Sequence, residues 1–119
     1  MLYDIDSIRI DGANYAVNWL DMPDIPFDSV AEVSYARQKI SVIKSHPEHD
    51  LQSLLHEIMH VINYNRLGDK LIESEVNTIG CSLSQLILDN TEEFISMASC
   101  GLEINESDSE IDSDNDLEL

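Results

Sequence analysis

The sequence predicts an α+β fold, in which a small antiparallel β-sheet of three to four strands is followed by three helices. Two observations lead to this prediction. Up to residue 44 the chain carries short segments in which apolar and polar side chains alternate, the period of a strand with one covered face. After residue 45, apolar residues recur every three or four positions and capping signals precede each run, which is typical of helices.

The strands come first. Asp11-Gly12 is a dipeptide favoured in tight turns, and alternating apolar residues flank it, so a β-hairpin is expected over residues 7–20. Asp21 to Asp28 carries two prolines and reads as a surface loop. Val30 to Tyr35 and Lys39 to Lys44 are predicted as two further strands, and the latter is expected to offer a free edge.

The first two helices follow. Ser45-His46-Pro47-Glu48 matches a capping box with proline in the first turn, and it predicts a helix that runs to about Asn65 and stops before Gly68. Asp69 is expected to cap a second helix that continues to about Leu88. Its predicted apolar stripe consists of Ile72, Val76, Ile79, Leu83, Leu86 and Ile87.

The third helix is predicted to be short, from Thr91 to about Ser99, and to end at Gly101. Its buried side is expected to consist of Phe94, Ile95, Met97 and Ala98. Residues 103–119 hold eight carboxylates and no Lys or Arg, so they are predicted to form a disordered acidic tail. The folded domain is therefore expected to span residues 1–102.

Charge and composition exclude several classes of function. The net charge is −18, and without the tail the chain still has sixteen acidic and six basic residues, a net charge of −10. This balance argues against direct nucleic-acid binding through phosphates. Cys81 and Cys100 lack Cys-x-x-Cys spacing and are expected to be buried thiols in a reducing compartment. With no signal peptide and no run of 18 apolar residues, a soluble cytoplasmic protein without membrane contact is expected.

The motif that can carry chemistry is His56-Glu57-Ile58-Met59-His60, inside an apolar run compatible with a helix. Residues four apart lie on one side of a helix, so both imidazoles can face one ion. Two histidines so placed suit zinc, and Glu57 has the position of the general base in zinc peptidases. His46 and His49 are expected to be exposed and outside the site.

A catalytic zinc usually has three protein ligands. The candidates after His60 are Asp69, Glu73, Glu75 and Cys81. Glu73 and Asn77 are four residues apart and share one side of the predicted second helix, so Glu73 could be the ligand and Asn77 its supporting group. Glu75 projects from another side, but both glutamates flank the apolar stripe at a similar angle, so periodicity leaves the two open.

Leu55 to His60, followed by Glu73-Ser74-Glu75-Val76-Asn77, resembles the ImmA/IrrE-type metallo-endopeptidases, in particular small single-domain members from phages and prophages. That gluzincin-like family takes its third zinc ligand from a glutamate four residues before an Asn or Asp. The resemblance therefore implies a zincin-like fold and Glu73 as the ligand, with Asn77 supporting it. Val76 stands where the family usually has Ala.

The resulting hypothesis is a zinc-dependent endopeptidase that holds one zinc ion per chain through His56, His60 and Glu73. Peptide bonds would be hydrolysed by a zinc-activated water with Glu57 as the general base. Tyr64 and His49 are candidates for a donor to the oxyanion. The resemblance implies a protein or peptide substrate such as a transcriptional repressor. The alternatives are a phage-type metal-binding protein without proteolytic activity, an acidic interaction protein that mimics DNA, and two histidines spaced by chance.

Overall fold

The computed structural model describes residues 1–21 and 30–110, with side chains described through residue 102. It contains a four-stranded sheet and three helices, an α+β arrangement as predicted. After a 3₁₀ turn at Leu2–Asp4, the elements are β1 (Ser7–Ile10), β2 (Ala13–Leu20), β3 (Ala31–Ser34), β4 (Lys39–Ile43), α1 (Pro47–Arg66), α2 (Glu73–Asp89) and α3 (Thr91–Glu110).

The predicted hairpin is present between β1 and β2. Ile10 pairs with Ala13 across a two-residue turn, in which both residues have positive φ, 52° at Asp11 and 84° at Gly12. Such a turn matches the twist of the flanking strands, which explains why Asp-Gly is favoured there. Arg66 Nε lies 2.6 Å from Asp11 Oδ1, so the tip of the hairpin is attached to the last turn of α1.

The sheet is mixed, which corrects the prediction of an antiparallel sheet. Its strand order is β1-β2-β4-β3, and β4 pairs parallel to β2 and antiparallel to β3. β4 therefore lies inside the sheet, and the prediction that it offers a free edge is wrong. Ile40 and Val42 have no exposed surface, which is typical of an internal strand. The two edge strands are β1 and β3.

The core lies between α1 and one face of this sheet. Its buried members come from both layers: Ile10, Tyr15, Val17, Ala31, Ile40, Val42, Leu54 and Val61. Leu54 and Val61 are seven residues apart, two helical turns, and supply the face of α1 that contacts the sheet. This packing leaves another face of α1, with His56 and His60, directed toward β3 and α2.

The start of α1 differs from the predicted capping box. His46 is the N-cap residue and makes no side-chain cap bond. Ser45 instead bonds to Asp50, through its backbone N–H (2.9 Å) and its hydroxyl (3.0 Å). The Tyr3 hydroxyl donates to the same carboxylate, which is fully buried, so Asp50 joins the N-terminus to α1.

The chain divides into two compact units, the first from Met1 to Gln85 and the second beginning at Leu86. In the second unit α3 continues to Glu110, beyond its predicted end, because Gly101 does not adopt the positive φ of a helix cap. Ile95 and Met97, predicted to be buried, are 61% and 62% exposed. The tail predicted to be disordered over residues 103–119 is helical up to Glu110, and its residues 111–119 lie outside the described residues. All but the first residue of the predicted loop from Asp21 to Asp28 also lies outside them. No helix among residues 1–21 and 30–110 has the length and apolar composition needed to cross a membrane.

Candidate metal centre

Helix α1 brings two imidazoles together. The Nε2 atoms of His56 and His60 are 3.2 Å apart, and both side chains are mostly buried. The spacing of four residues places them one turn apart on the helix face that the sheet does not cover. The two rings are inclined at 66° to each other, so both nitrogens can point at one position.

Glu73, the first residue of α2, completes the group. Its Oε2 lies 2.8 Å from His56 Nε2, and its Oε1 lies 3.0 Å from His60 Nε2. Glu75 is used differently, because its Oε1 accepts a hydrogen bond from the backbone N–H of Ile72 and caps the start of the helix. Of the two glutamates that periodicity left open, the structure thus brings Glu73 to the histidines.

The other two candidates for the third ligand lie elsewhere. Asp69 is in the turn before α2, with φ 61°, and accepts a bond from Asn63; it is neither a helix cap nor part of the histidine group. Cys81 accepts a hydrogen bond from the side chain of Gln52. Both cysteines are free thiols, with Cys81 partly buried and Cys100 exposed rather than buried as expected.

The geometry of the three side chains fits a metal ion. His56 Nδ1 lies 3.2 Å from Asn77 Oδ1, an acceptor, so the proton of a neutral His56 belongs on Nδ1 and a lone pair remains on Nε2. That lone pair faces a carboxylate oxygen at 2.8 Å, an arrangement that requires a proton or a metal cation between the two atoms. The ligand atoms of a tetrahedral zinc site are about 3.3 Å apart. The observed separations of 2.8, 3.0 and 3.2 Å are close to this value.

Glu57 lies beside the two histidines and is buried, with 6% of its surface exposed. Burial raises the pKa of its carboxyl to about 7, with further contributions from Glu73 and Glu32, while His56 acts in the opposite direction. A carboxyl with a pKa near neutrality can both accept and donate a proton at physiological pH.

The site opens into a cleft of about 460 Å³ between the edge strand β3, α1 and the start of α2. On α1 the lining residues recur at helical spacing, and they are His49, Gln52, Ser53, His56, Glu57 and His60. His49 thus belongs to the cleft, although the sequence predicts it outside the site. Seven residues separate His49 from His56, so it lies about 10 Å away along the axis.

Two tyrosines lie near the end of the cleft. Tyr35 lines it and donates a hydrogen bond of 3.4 Å to the backbone carbonyl of His60. Tyr64, a candidate from sequence for contact with an oxyanion, stacks on the Tyr35 ring with centroids 4.2 Å apart and is 53% exposed. Tyr64 is not among the residues that line the cleft, so of these two rings only Tyr35 borders it.

Sequence reasoning missed the residue that lets α2 approach α1. The buried residues of α2 are Val76, Gly80 and Ser84, one per turn, so Val76 is the one member of the predicted apolar stripe that is buried. A Cβ atom on Gly80 would lie 3.0 Å from the Cα and 3.2 Å from the N of His56. The signal was present, since a glycine inside a helical pattern often marks a close approach.

The structure thus brings His56, His60 and Glu73 into one group whose ligand atoms lie within 4.8 Å of one another, with Glu57 beside them. That this group holds a metal stays a prediction. Comparison of the chain with protein-family models, with curated proteins and with solved structures finds no match. Function has to be inferred from the residues of the site.

Proposed function

We propose that the protein is a zinc-dependent metallopeptidase of the cytoplasm, with a zincin-like fold of the ImmA/IrrE type. The observation that carries the proposal is the group of His56, His60 and Glu73 at 2.8, 3.0 and 3.2 Å, at the wall of a cleft that also contains Glu57. Two histidines and a glutamate are the ligand set of a catalytic zinc with an open position, whereas structural zinc sites are usually closed by four protein ligands.

The chain's own residues have separate roles in this proposal. His56, His60 and Glu73 would hold one zinc ion. Asn77 fixes the orientation of His56, because its Oδ1 accepts a hydrogen bond from the Nδ1–H of that histidine. The zinc would act as a Lewis acid toward a peptide carbonyl and lower the pKa of a water molecule. Glu57 accepts the proton of the attacking water and passes it to the leaving amine.

The cleft is suited to an extended peptide. Its walls are the edge strand β3 and the exposed face of α1, and the described lining contains no Lys or Arg. An extended peptide lying along β3 would pass the three metal-binding side chains, in the manner of strand addition at a sheet edge. The proposed substrate is therefore a protein segment in extended conformation; a transcriptional repressor is the example that the family resemblance suggests.

Two measurements test the proposal. Purified wild-type protein should contain about one zinc per chain, and His56→Ala or His60→Ala should lose it, because two remaining ligands cannot close the site. Unfolded and repressor-type proteins are then incubated with zinc-loaded wild-type protein, and new chain ends are identified by mass spectrometry. Cleavage by the wild type is the expected result.

Glu57→Gln should keep the zinc and lose cleavage, because an amide cannot accept the proton. Glu48→Gln is the matched control, since Glu48 is an exposed acid in the first turn of the same helix and does not line the cleft. Zinc without cleavage by the wild type would favour the alternative, a metal-binding protein without proteolytic activity. Cleavage by Glu57→Gln at the wild-type rate would remove Glu57 from the mechanism.

A further inference from the structure

The buried side chain of Asn63, which is 1% exposed, attaches the turn between α1 and α2 to α1. Asn63 Oδ1 accepts a hydrogen bond from the backbone N–H of Leu71 at 3.1 Å, and Asn63 Nδ2 donates to the Leu71 carbonyl at 3.2 Å. The amide thereby bonds to both polar backbone groups of one residue. Nδ2 also donates to Asp69 Oδ1 at 3.3 Å, so both the nitrogen and the oxygen of the Asn63 amide have hydrogen-bond partners.

The backbone carbonyl of Asn63 holds the same turn. It accepts hydrogen bonds from the N–H groups of Leu67 at 3.0 Å and Asp69 at 2.9 Å. Gly68 and Asp69 both have left-handed backbone conformations, with φ of 64° and 61°. For Asp69 this conformation is unfavourable, so it persists only where neighbouring bonds enforce it. The bonds between Asp69 and Asn63, together with those between Asn63 and Leu71, supply that constraint.

The position of Asn63 connects this turn to the metal site. On α1 it follows His60 by three residues, one turn of the helix, and its partner Leu71 precedes Glu73 by two residues. The histidines are fixed by α1 itself, whereas Glu73 belongs to α2 and depends on this turn and on the approach of α2 to α1 at Gly80. Glu73 is also 70% exposed, so little packing holds its side chain. A metal site requires ligand positions within about 0.2 Å.

We propose that Asn63 is a positioning residue of the metal site: its bonds to Leu71 and Asp69 set the start of α2 so that the Glu73 carboxylate meets His56 and His60. This inference rests on the proposed function, since it assigns Asn63 a part in zinc affinity. Asn63 is not one of the three side chains proposed to hold the metal. It acts only through Glu73, and this separates the proposal from a general contribution to stability.

A double-mutant cycle measures the part of the effect of Asn63 that depends on Glu73. Zinc affinity is measured by chelator competition at one pH for wild type, Asn63→Ala, Glu73→Gln and the double variant. Asn63→Ala should weaken zinc at least tenfold in the wild-type background and less than twofold in the Glu73→Gln background. The matched control is Asn65→Ala, which removes an exposed asparagine of the same helix that bonds to Asp11. Its zinc affinity should equal that of the wild type.

The outcomes separate the two proposals. A wild-type chain that binds no zinc overturns the proposed function, and the role of Asn63 with it. If the wild type binds zinc and Asn63→Ala binds it equally well, only the role of Asn63 is overturned. The same holds if Asn63→Ala loses affinity equally in both backgrounds, because the asparagine would then act on the whole fold.

Should Asn63→Ala fail to fold, hydrogen exchange in the wild type gives the answer without a substitution at Asn63. Coupling is reciprocal, so zinc on Glu73 should strengthen the bonds to Leu71. Zinc should slow exchange of the Leu71 amide at least tenfold more than that of Ala16, which reports the sheet. In Glu73→Gln the two amides should slow by the same factor. Equal slowing in the wild type overturns the proposal.

Discussion

At the scale of the residue, the start of α2 gives two neighbouring glutamates different roles. Glu73 contacts both histidines, whereas Glu75 accepts a bond from the Ile72 N–H and caps the helix. Glu73→Ala should therefore weaken zinc binding by at least about tenfold, as expected for the loss of a ligand. Glu75→Ala should leave zinc affinity nearly unchanged and lower the free energy of unfolding by about 1 kcal/mol.

Chelator competition and urea unfolding measure these two effects separately. Loss of zinc from Glu75→Ala with retention by Glu73→Ala would contradict the assignment.

The sequence predicts only part of this group of side chains. The spacing of His56 and His60 was enough to predict their proximity, because one helix fixes both. Glu73 comes from another helix, and its contact depends on a turn whose left-handed residues, Gly68 and Asp69, no periodicity reveals.

Asn77 is a second residue whose effect is predictable. Its Oδ1 accepts the Nδ1–H of His56 and leaves Nε2 free for a metal. Asn77→Ala should lower zinc affinity by about tenfold to a hundredfold, the range found for partners of metal-binding histidines. Asn77→Asp keeps an acceptor and should bind zinc at least as tightly as the wild type. Equal affinity of Asn77→Ala and the wild type would show that His56 needs no partner.

At the scale of the element, the crossing of α1 and α2 depends on a glycine. An added Cβ at Gly80 would meet backbone atoms of His56 at 3.0 and 3.2 Å, and backbone cannot rotate away as a side chain can. Gly80→Ala should cost about 1–3 kcal/mol in unfolding free energy. It should also weaken zinc, because α2 carries Glu73 and has to move away from His56.

The matched control is Gly101→Ala in α3, where no atom lies within 4 Å of the added Cβ. There the higher helix propensity of alanine should favour the helix by about 0.5–1 kcal/mol. Circular dichroism and denaturant unfolding measure both variants. A Gly80→Ala protein with wild-type stability and zinc affinity would mean that the helices do not approach as closely as described.

The order of the strands shows where sequence patterns stop at this scale. Alternation predicted four strands near their observed positions, because the period of side chains is local. It could not predict that β4 inserts between β2 and β3, since the pairing of strands is not local and alternation does not reveal it. The burial of Ile40, Ser41 and Val42 marks β4 as internal. An apolar residue at Ile43, on the same face of the strand as Ser41, is the feature of the sequence that is consistent with cover on both faces.

At the scale of the whole molecule, Asp50 in the first turn of α1 joins that helix to Tyr3, near the N-terminus, and to Ser45, which precedes the helix. Burial acts to raise the pKa of its carboxyl, but hydrogen bonds from the Tyr3 hydroxyl and from Ser45 more than offset burial and hold the pKa below its usual value. The bond to Asp50 in turn raises the pKa of Tyr3 to about 12. Both shifts stabilise the fold when Asp50 is ionised and Tyr3 is neutral.

The sign of the pH dependence follows from these directions. A carboxyl with a lowered pKa in the folded state contributes stability above its unfolded value, about 3.9, and loses it as the pH falls through the folded value. Asp50→Asn should therefore lower the free energy of unfolding by about 1.5 kcal/mol at pH 7, since a hydrogen bond to a charged acceptor is lost. The difference from wild type should shrink when both proteins are measured near pH 2.5. Tyr3→Phe, which removes one donor to the same carboxylate, should show the same narrowing. If the difference in unfolding free energy between wild type and Asp50→Asn is the same at both pH values, the ionised form of Asp50 does not hold these segments together.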